Sequence, residues 1–165
     1  MRCFLAAWPD EPARLALEQL SHDVRQRVPH RRATRVNDLH LTLAFIGDLD
    51  DGAAFDLAAA IAMLHFDPIN WQINKLGFFQ LAGVVWAGSD RTTPLDDLAH
   101  CARALLDRTS IAYDQRPWAP HVTLLRGVQA FETEEIAAIE WRIASLGLYR
   151  SAPSAKASRY APVMR

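Results

Sequence analysis

Two tetrapeptides of the form His-x-Thr-Leu constrain this chain more than any other feature. They are His40-Leu41-Thr42-Leu43 and His121-Val122-Thr123-Leu124, and they stand 81 positions apart in a chain of 165 residues. The first opens the stretch Leu39-His40-Leu41-Thr42-Leu43-Ala44-Phe45-Ile46-Gly47, which alternates apolar and polar over its first five residues. Such alternation marks a half-buried strand, because successive side chains point to opposite faces. His40 and Thr42 are therefore expected on one face, with Leu39, Leu41 and Leu43 packed on the other. An imidazole beside a hydroxyl on a rigid strand suits a small anion such as phosphate. One tetrapeptide is weak; two, near the middle of each half, point to an internal repeat. Paired histidines on facing strands supply one base and one acid on opposite sides of a phosphorus, which in-line phosphoester chemistry needs.

Length and composition bound the alternatives. A chain of this size can bury a core as one domain or two fused lobes. Half of its residues are apolar, 22% are charged, and the net charge is −1, so no molecule-wide basic field favours duplex nucleic acid. Cys3 and Cys101 form no CxxC pair and no metal-ligand spacing, so neither a disulfide framework nor a metal site is expected. The apolar run from Cys3 to Trp8 is too short for a signal-peptide core or a membrane span. A cytoplasmic monomer, without membrane association or cofactor, is expected.

Along the chain, Arg2–Trp8 reads as a buried strand. Pro9-Asp10-Glu11-Pro12 then opens a helix reaching about Arg27, with Leu15, Leu20 and Val24 on its apolar face. Ala53–Leu64 reads as a helix, Ile69–Phe79 and Val84–Gly88 as strands, and Thr93–Arg108 as a helix capped by Thr93. Thr133 is expected to start a short helix. Trp141–Tyr149 and Ser158–Val163 read as closing strands. Each half runs strand, helix, His-bearing strand. The expected product is an α+β fold, a single domain over residues 1–165 with two similar lobes, helices outside and the His strands facing each other across a cleft.

Of the six histidines, His22, His30, His65 and His100 lack a repeated neighbourhood and read as structural. Arg126 and Phe45 each lie five residues beyond a motif histidine, so simple alternation turns both away from the site. Arg126 reaches it only if the strand ends or bulges near Leu125, where its guanidinium would grip phosphate bidentately. Phe45 is open to two readings, core residue or stacking platform for a base; Phe78, Phe79 and Trp118 read first as core. Arg25–Arg35 holds five arginines and a histidine. Immediately before the first His strand, Arg27, Arg31, Arg32 and Arg35 are candidates for RNA-backbone contact as well as for a solvated loop.

With these residues in view, the chain resembles the two-histidine phosphoesterases, in particular bacterial RNA 2′,3′-cyclic phosphodiesterases, also called 2′-5′ RNA ligases. The resemblance covers nearly the whole chain. It includes Arg2–Trp8, Asn37–Gly47, Val84–Gly88, Arg116–Arg126, Leu148-Tyr149-Arg150-Ser151 and Ser158-Arg159-Tyr160. It implies a bilobal fold, metal-independent hydrolysis of an RNA 2′,3′-cyclic phosphate to a 2′-phosphate, and in some members reversible 2′-5′ joining of RNA ends. It assigns His40 and His121 as catalytic and Thr42, Thr123 and Arg126 as phosphate contacts. One departure is the glycine-free segment Ala152–Ala157, where such proteins often carry glycines. Alternative substrates are a cyclic-phosphate nucleotide-sugar or a 2′-5′ oligonucleotide. A non-catalytic RNA-end-binding module is a further reading, but binding alone would not require histidine in both motifs.

Overall fold

In the computed structural model, which describes residues 1–152 and 157–164, two antiparallel sheets are assembled from segments of both sequence halves. The first sheet has the order β3 (Leu41–Asp48), β1 (Arg2–Ala7), β8 (Gly147–Ser151), β9 (Tyr160–Pro162). The second runs β2 (Arg32–Ala33), β6 (His121–Arg126), β5 (Val84–Gly88), β4 (Ile69–Phe79), β7 (Glu134–Ile143). Three α-helices flank them: α1 (Glu11–Arg27), α2 (Asp51–Ala62) and α3 (Thr93–Arg108). Among the described residues no helix is long and apolar enough to cross a membrane. The segment 153–156, to which most of the glycine-free loop belongs, lies outside the described residues.

The expected repeat is present as β1–α1–β3 and β5–α3–β6, each an antiparallel strand pair joined through a helix. The helices are exchanged: α1 packs against β7 of the second sheet, and α3 against β3 of the first. One continuous apolar cluster results, running from Leu5, Leu41 and Leu43 through Leu17, Leu95 and Leu106 to Ile73, Leu124 and Leu125. Asp10 caps α1 by accepting from the Ala13 amide at 2.9 Å, and Asp50 caps α2 by accepting from the Ala53 amide.

Several local expectations change. The buried face of α1 is Ala13, Leu17, Ser21 and Val24, while Leu15 is half exposed. Val24 is buried and Leu20 packs partly buried against the core as expected, and the small Ala13 and Ser21 complete the buried face. Thr92, not Thr93, is the N-cap of α3. No helix starts at Thr133. Glu134–Ile143 is a long strand paired with β4, and the cross-strand contacts that place Trp141 opposite Trp71 outweigh the helical preference of its Glu and Ala residues. Trp141 and Tyr149 therefore belong to different sheets, the chain crossing between them at residues 144–146.

The two His strands are held together by a reciprocal clasp. The segment before His40 pairs with the His121 strand: Arg32 and Ala33 oppose Arg126 and Leu125, and the Thr34 amide donates to the Leu124 carbonyl at 2.8 Å. The segment before His121 covers the edge of the His40 strand: the Asp114 amide donates to Phe45 O, and Trp118 Nε1 to Thr42 O, both at 2.8 Å. Each loop satisfies backbone groups that an edge strand would otherwise leave unpaired. Trp118, read first as core, thus links the two motifs directly. Trp118→Phe keeps the ring and removes the donor; it is expected to cost about 1–3 kcal/mol, read as a lower urea midpoint. Unchanged stability would show that this bond is not needed to close the clasp.

Candidate active site

Both motifs carry the same irregularity. In β3, Leu5 opposes Ala44 but Ala6 opposes Thr42, leaving Leu43 as an extra residue. In β6, Val85 opposes Leu125 but Trp86 opposes Thr123, leaving Leu124 as an extra residue. Each is a β-bulge one residue beyond the motif threonine, and a bulge reverses the alternation that follows it. The burial patterns agree: Leu43-Ala44 and Leu124-Leu125 are consecutive buried pairs. Phe45 and Arg126, turned away by simple alternation, consequently return to the face of the histidines.

These side chains meet in an inner cavity of about 90 Å³, lined by His40, Thr42, Phe45, His121, Thr123 and Arg126, with Asp38, Arg159 and Tyr160 around them. The cavity is large enough to admit a phosphoryl group. Phe45, 52% exposed, stands at its mouth. The basic segment divides. Arg32 and Arg35 line the cavity, whereas Arg27 pairs with Glu134 and the Arg31 side chain packs against Gly127.

The rings are fixed alike. His40 Nδ1 lies 2.6 Å from Asp38 O, and His121 Nδ1 lies 2.8 Å from Ala119 O. A carbonyl only accepts, so Nδ1 carries the proton and the neutral imidazole keeps its lone pair on Nε2. Among the described residues neither Nε2 has a protein partner. His30 and His65 make the same contact to a carbonyl two residues back. It is thus a local device for orienting a ring; what distinguishes His40 and His121 is the cavity they share.

The aromatic surroundings set the electrostatics. Trp8 stacks on His40 with centroids 4.7 Å apart and planes at 10°, and Phe4 and Tyr160 close two further sides. Phe79 meets His121 edge-on at 4.9 Å, with Trp86 beyond. Burial pushes both imidazoles below the ordinary 6.5, His40 down to about 4, and the Arg126 guanidinium pushes each the same way. Asp38, 2% exposed, serves two neighbours: its carbonyl orients His40, and its carboxylate accepts from Ser158 Oγ at 2.6 Å and the Arg159 amide at 2.8 Å. Among the described residues, no group of three or more His, Cys, Asp or Glu is placed to hold a metal ion.

Sequence reasoning missed Trp8, Asp38 and Tyr160 as neighbours of His40. A signal existed for one side. Phe4, Ala6 and Trp8 alternate on one face of the first strand, and Ala6 opposes Thr42. The position of Tyr160 depends on β9 joining the far edge of the first sheet, which no local pattern announces.

Known proteins share the chain's sequence family and fold. Residues 8–154 match the family described as the 2′-5′ RNA ligase superfamily. The RNA 2′,3′-cyclic phosphodiesterase of Escherichia coli (strain K12) is 29% identical over 170 residues, covering 94% of this chain and 96% of that protein. The RNA 2′,3′-cyclic phosphodiesterase of Geobacillus stearothermophilus is 27% identical over 161 residues, 90% of this chain; the match spans 51%, about half, of that longer relative. The crystal structure of E. coli LigT complexed with 3′-AMP has a TM-score of 0.84 at 26% identity, over 98% of this chain and 94% of that one. By its family match, its fold and its doubled His-x-Thr motif, the chain belongs to the two-histidine phosphoesterases of the 2′-5′ RNA ligase superfamily.

Proposed function

We propose that this protein is an RNA 2′,3′-cyclic phosphodiesterase, opening a terminal cyclic phosphate to a 2′-phosphate with His40 and His121 as acid and base. The observation that carries the reading is the inner cavity, into which both bulged strands bring a histidine, a threonine and a residue five positions on. Water attacks phosphorus in line with the P–O3′ bond. His121 Nε2 takes the water's proton, the new P–O bond forms, and P–O3′ breaks as His40, as imidazolium, gives its Nε2 proton to O3′. Thr42, Thr123 and Arg126 hold the non-bridging oxygens as charge develops on them. Phe45 is positioned to stack on the terminal base. The chemistry assigned here needs no metal and no cofactor, and one chain supplies both histidines, which suits a cytoplasmic monomer. Microscopic reversibility makes ATP-independent 2′-5′ joining of RNA ends the reverse of the same step.

The assignment of roles rests on shape. The leaving O3′ belongs to the ribose, so the nucleotide must lie on the acid's side of the phosphorus. A larger cleft of about 920 Å³ adjoins the cavity and is lined by His40 but not by His121. This supports His40 as the acid. Its lowered pKa is no obstacle once substrate is bound, because a phosphate anion beside the ring favours the imidazolium and offsets Arg126. The nucleotide-sugar alternative keeps the same acid and base on another cyclic phosphate; a 2′-5′ oligonucleotide has no P–O3′ bond, so there water would displace the 5′ oxygen of the next residue, which the acid would protonate.

With EDTA present, wild type is expected to turn a 2′,3′-cyclic nucleotide into the 2′-phosphate, the position of the phosphate being read by phosphorus NMR. His40→Ala and His121→Ala should each lose about 10²–10⁴ in rate. Loss of wild-type activity with EDTA, or a 3′-phosphate product, would contradict the scheme. The pH dependence has a definite sign. The profile of kcat/KM reports the free enzyme, where both pKa values are lowered; that of kcat reports the complex, where bound phosphate raises them. The optimum of kcat should therefore lie at higher pH than that of kcat/KM. Superimposable profiles would mean that the phosphate does not face both rings.

A further inference from the structure

We infer that the larger cleft beside His40 is a second phosphate subsite, taking the phosphate on the 5′ side of the reacting nucleotide. This rests on the catalytic reading above and extends it from the reacting phosphate to the body of the substrate. The two spaces are neighbours, since His40, Phe45, Arg32, Arg35, Arg159 and Tyr160 line both. The outer one has about ten times the inner volume, 920 against 90 Å³.

Its charge is lopsided in a chain of net charge −1. Among the described residues, Arg2, Arg32, Arg35, Arg116 and Arg159 line it with one carboxylate, Asp114, which is already gripped by the Arg116 side chain and backbone amide. Elsewhere Arg14, Arg27 and Arg91 each face a carboxylate. Among the described residues, Arg2, Arg32 and Arg159 have none within ion-pair distance. Like charges that outnumber the carboxylates on a concave surface repel one another, and an anion relieves that repulsion. A guanidinium matches phosphate geometry bidentately. A phosphate is the anion this position calls for, because the cleft opens on the His40 side, to which the proposed mechanism assigns the ribose, and Phe45 lines both spaces.

The direction of the chain follows. With the cyclic phosphate between His40 and His121 and the ribose towards His40, the 5′ oxygen is the remaining route outward. Phosphate on that oxygen enters the outer cleft, towards Arg2 on β1 and Arg116 before β6. It comes from the preceding residue of an RNA strand, or from a 5′-monophosphate on a free nucleotide. Of the four arginines singled out in the segment before β3, this track uses Arg32 and Arg35 and not Arg27 or Arg31.

Three substrates test it: a 2′,3′-cyclic nucleoside phosphate with a free 5′ hydroxyl, the same compound with a 5′-phosphate, and a cyclic-ended dinucleotide. Wild type should favour both compounds with a 5′-side phosphate by about ten- to a hundredfold in kcat/KM, mainly through KM, the size expected for charge-assisted hydrogen bonds. In Arg2→Gln/Arg116→Gln the ratio of kcat/KM values, with over without that phosphate, should fall towards one. Preference for the dinucleotide alone would overturn the phosphate seat in favour of a contact to the second nucleoside, and a preference undiminished in the double variant would overturn the placement of the phosphate against Arg2 and Arg116. Equal turnover of all three by wild type would overturn the subsite and leave the catalytic reading standing. Absence of turnover with every cyclic substrate would overturn both.

Discussion

The site depends on how two edge strands are completed. β3 lies at the end of its sheet, and β6 is covered on one side only by the two-residue β2. Each edge is closed by the loop that leads into the opposite His strand, through Thr34 and Ala33 on one side and Asp114 and Trp118 on the other. Neither sheet can therefore shift without breaking backbone pairing in the other. This coupling is what sets two imidazoles from distant parts of the chain in one small cavity, where positioning within a fraction of an ångström decides the rate.

Dehydration and charge then act together. Trp8, Phe4 and Tyr160 around His40, with Phe79 beside His121, strip water from part of each ring, and this desolvation lowers both pKa values in the free protein. Arg126 and Arg159 contribute positive charge at the same place without a carboxylate partner among the described residues. The empty cavity thus disfavours its own protonation, and an anion reverses that preference. In the proposed mechanism such a site would couple proton uptake to phosphate binding, so that His40 would be charged only when a leaving group is there to receive its proton.

Much of this was legible in the sequence because it is local. Alternation around His40 and His121 and the proline-containing acidic start at Pro9-Asp10-Glu11-Pro12 are short-range patterns, and they located the His strands and the first helix start. The bulges were half legible. Consecutive apolar residues Leu43-Ala44 and Leu124-Leu125 are their trace, and the need for one near Leu125 could be stated, but only pairing with β1 and β5 creates it. The helical reading at Thr133 failed because composition there favours a helix while β4 offers a partner strand. Arg27 and Arg31 could not be told from Arg32 and Arg35 by charge. The difference lies in Glu134 and Gly127, more than 90 residues away. Asp38 was hidden for the same reason, since its carboxylate partners lie at Ser158 and Arg159.

The central claim is that His40 and His121 face one phosphate. NMR titration of the two imidazole Cε1–H resonances, alone and with a saturating nucleoside 2′-phosphate, tests it without relying on turnover. Both pKa values should begin below 6.5, with His40 the lower, and both should rise together when the nucleotide binds. A rise at only one histidine, or at neither, would contradict a shared phosphate and with it the two-histidine mechanism.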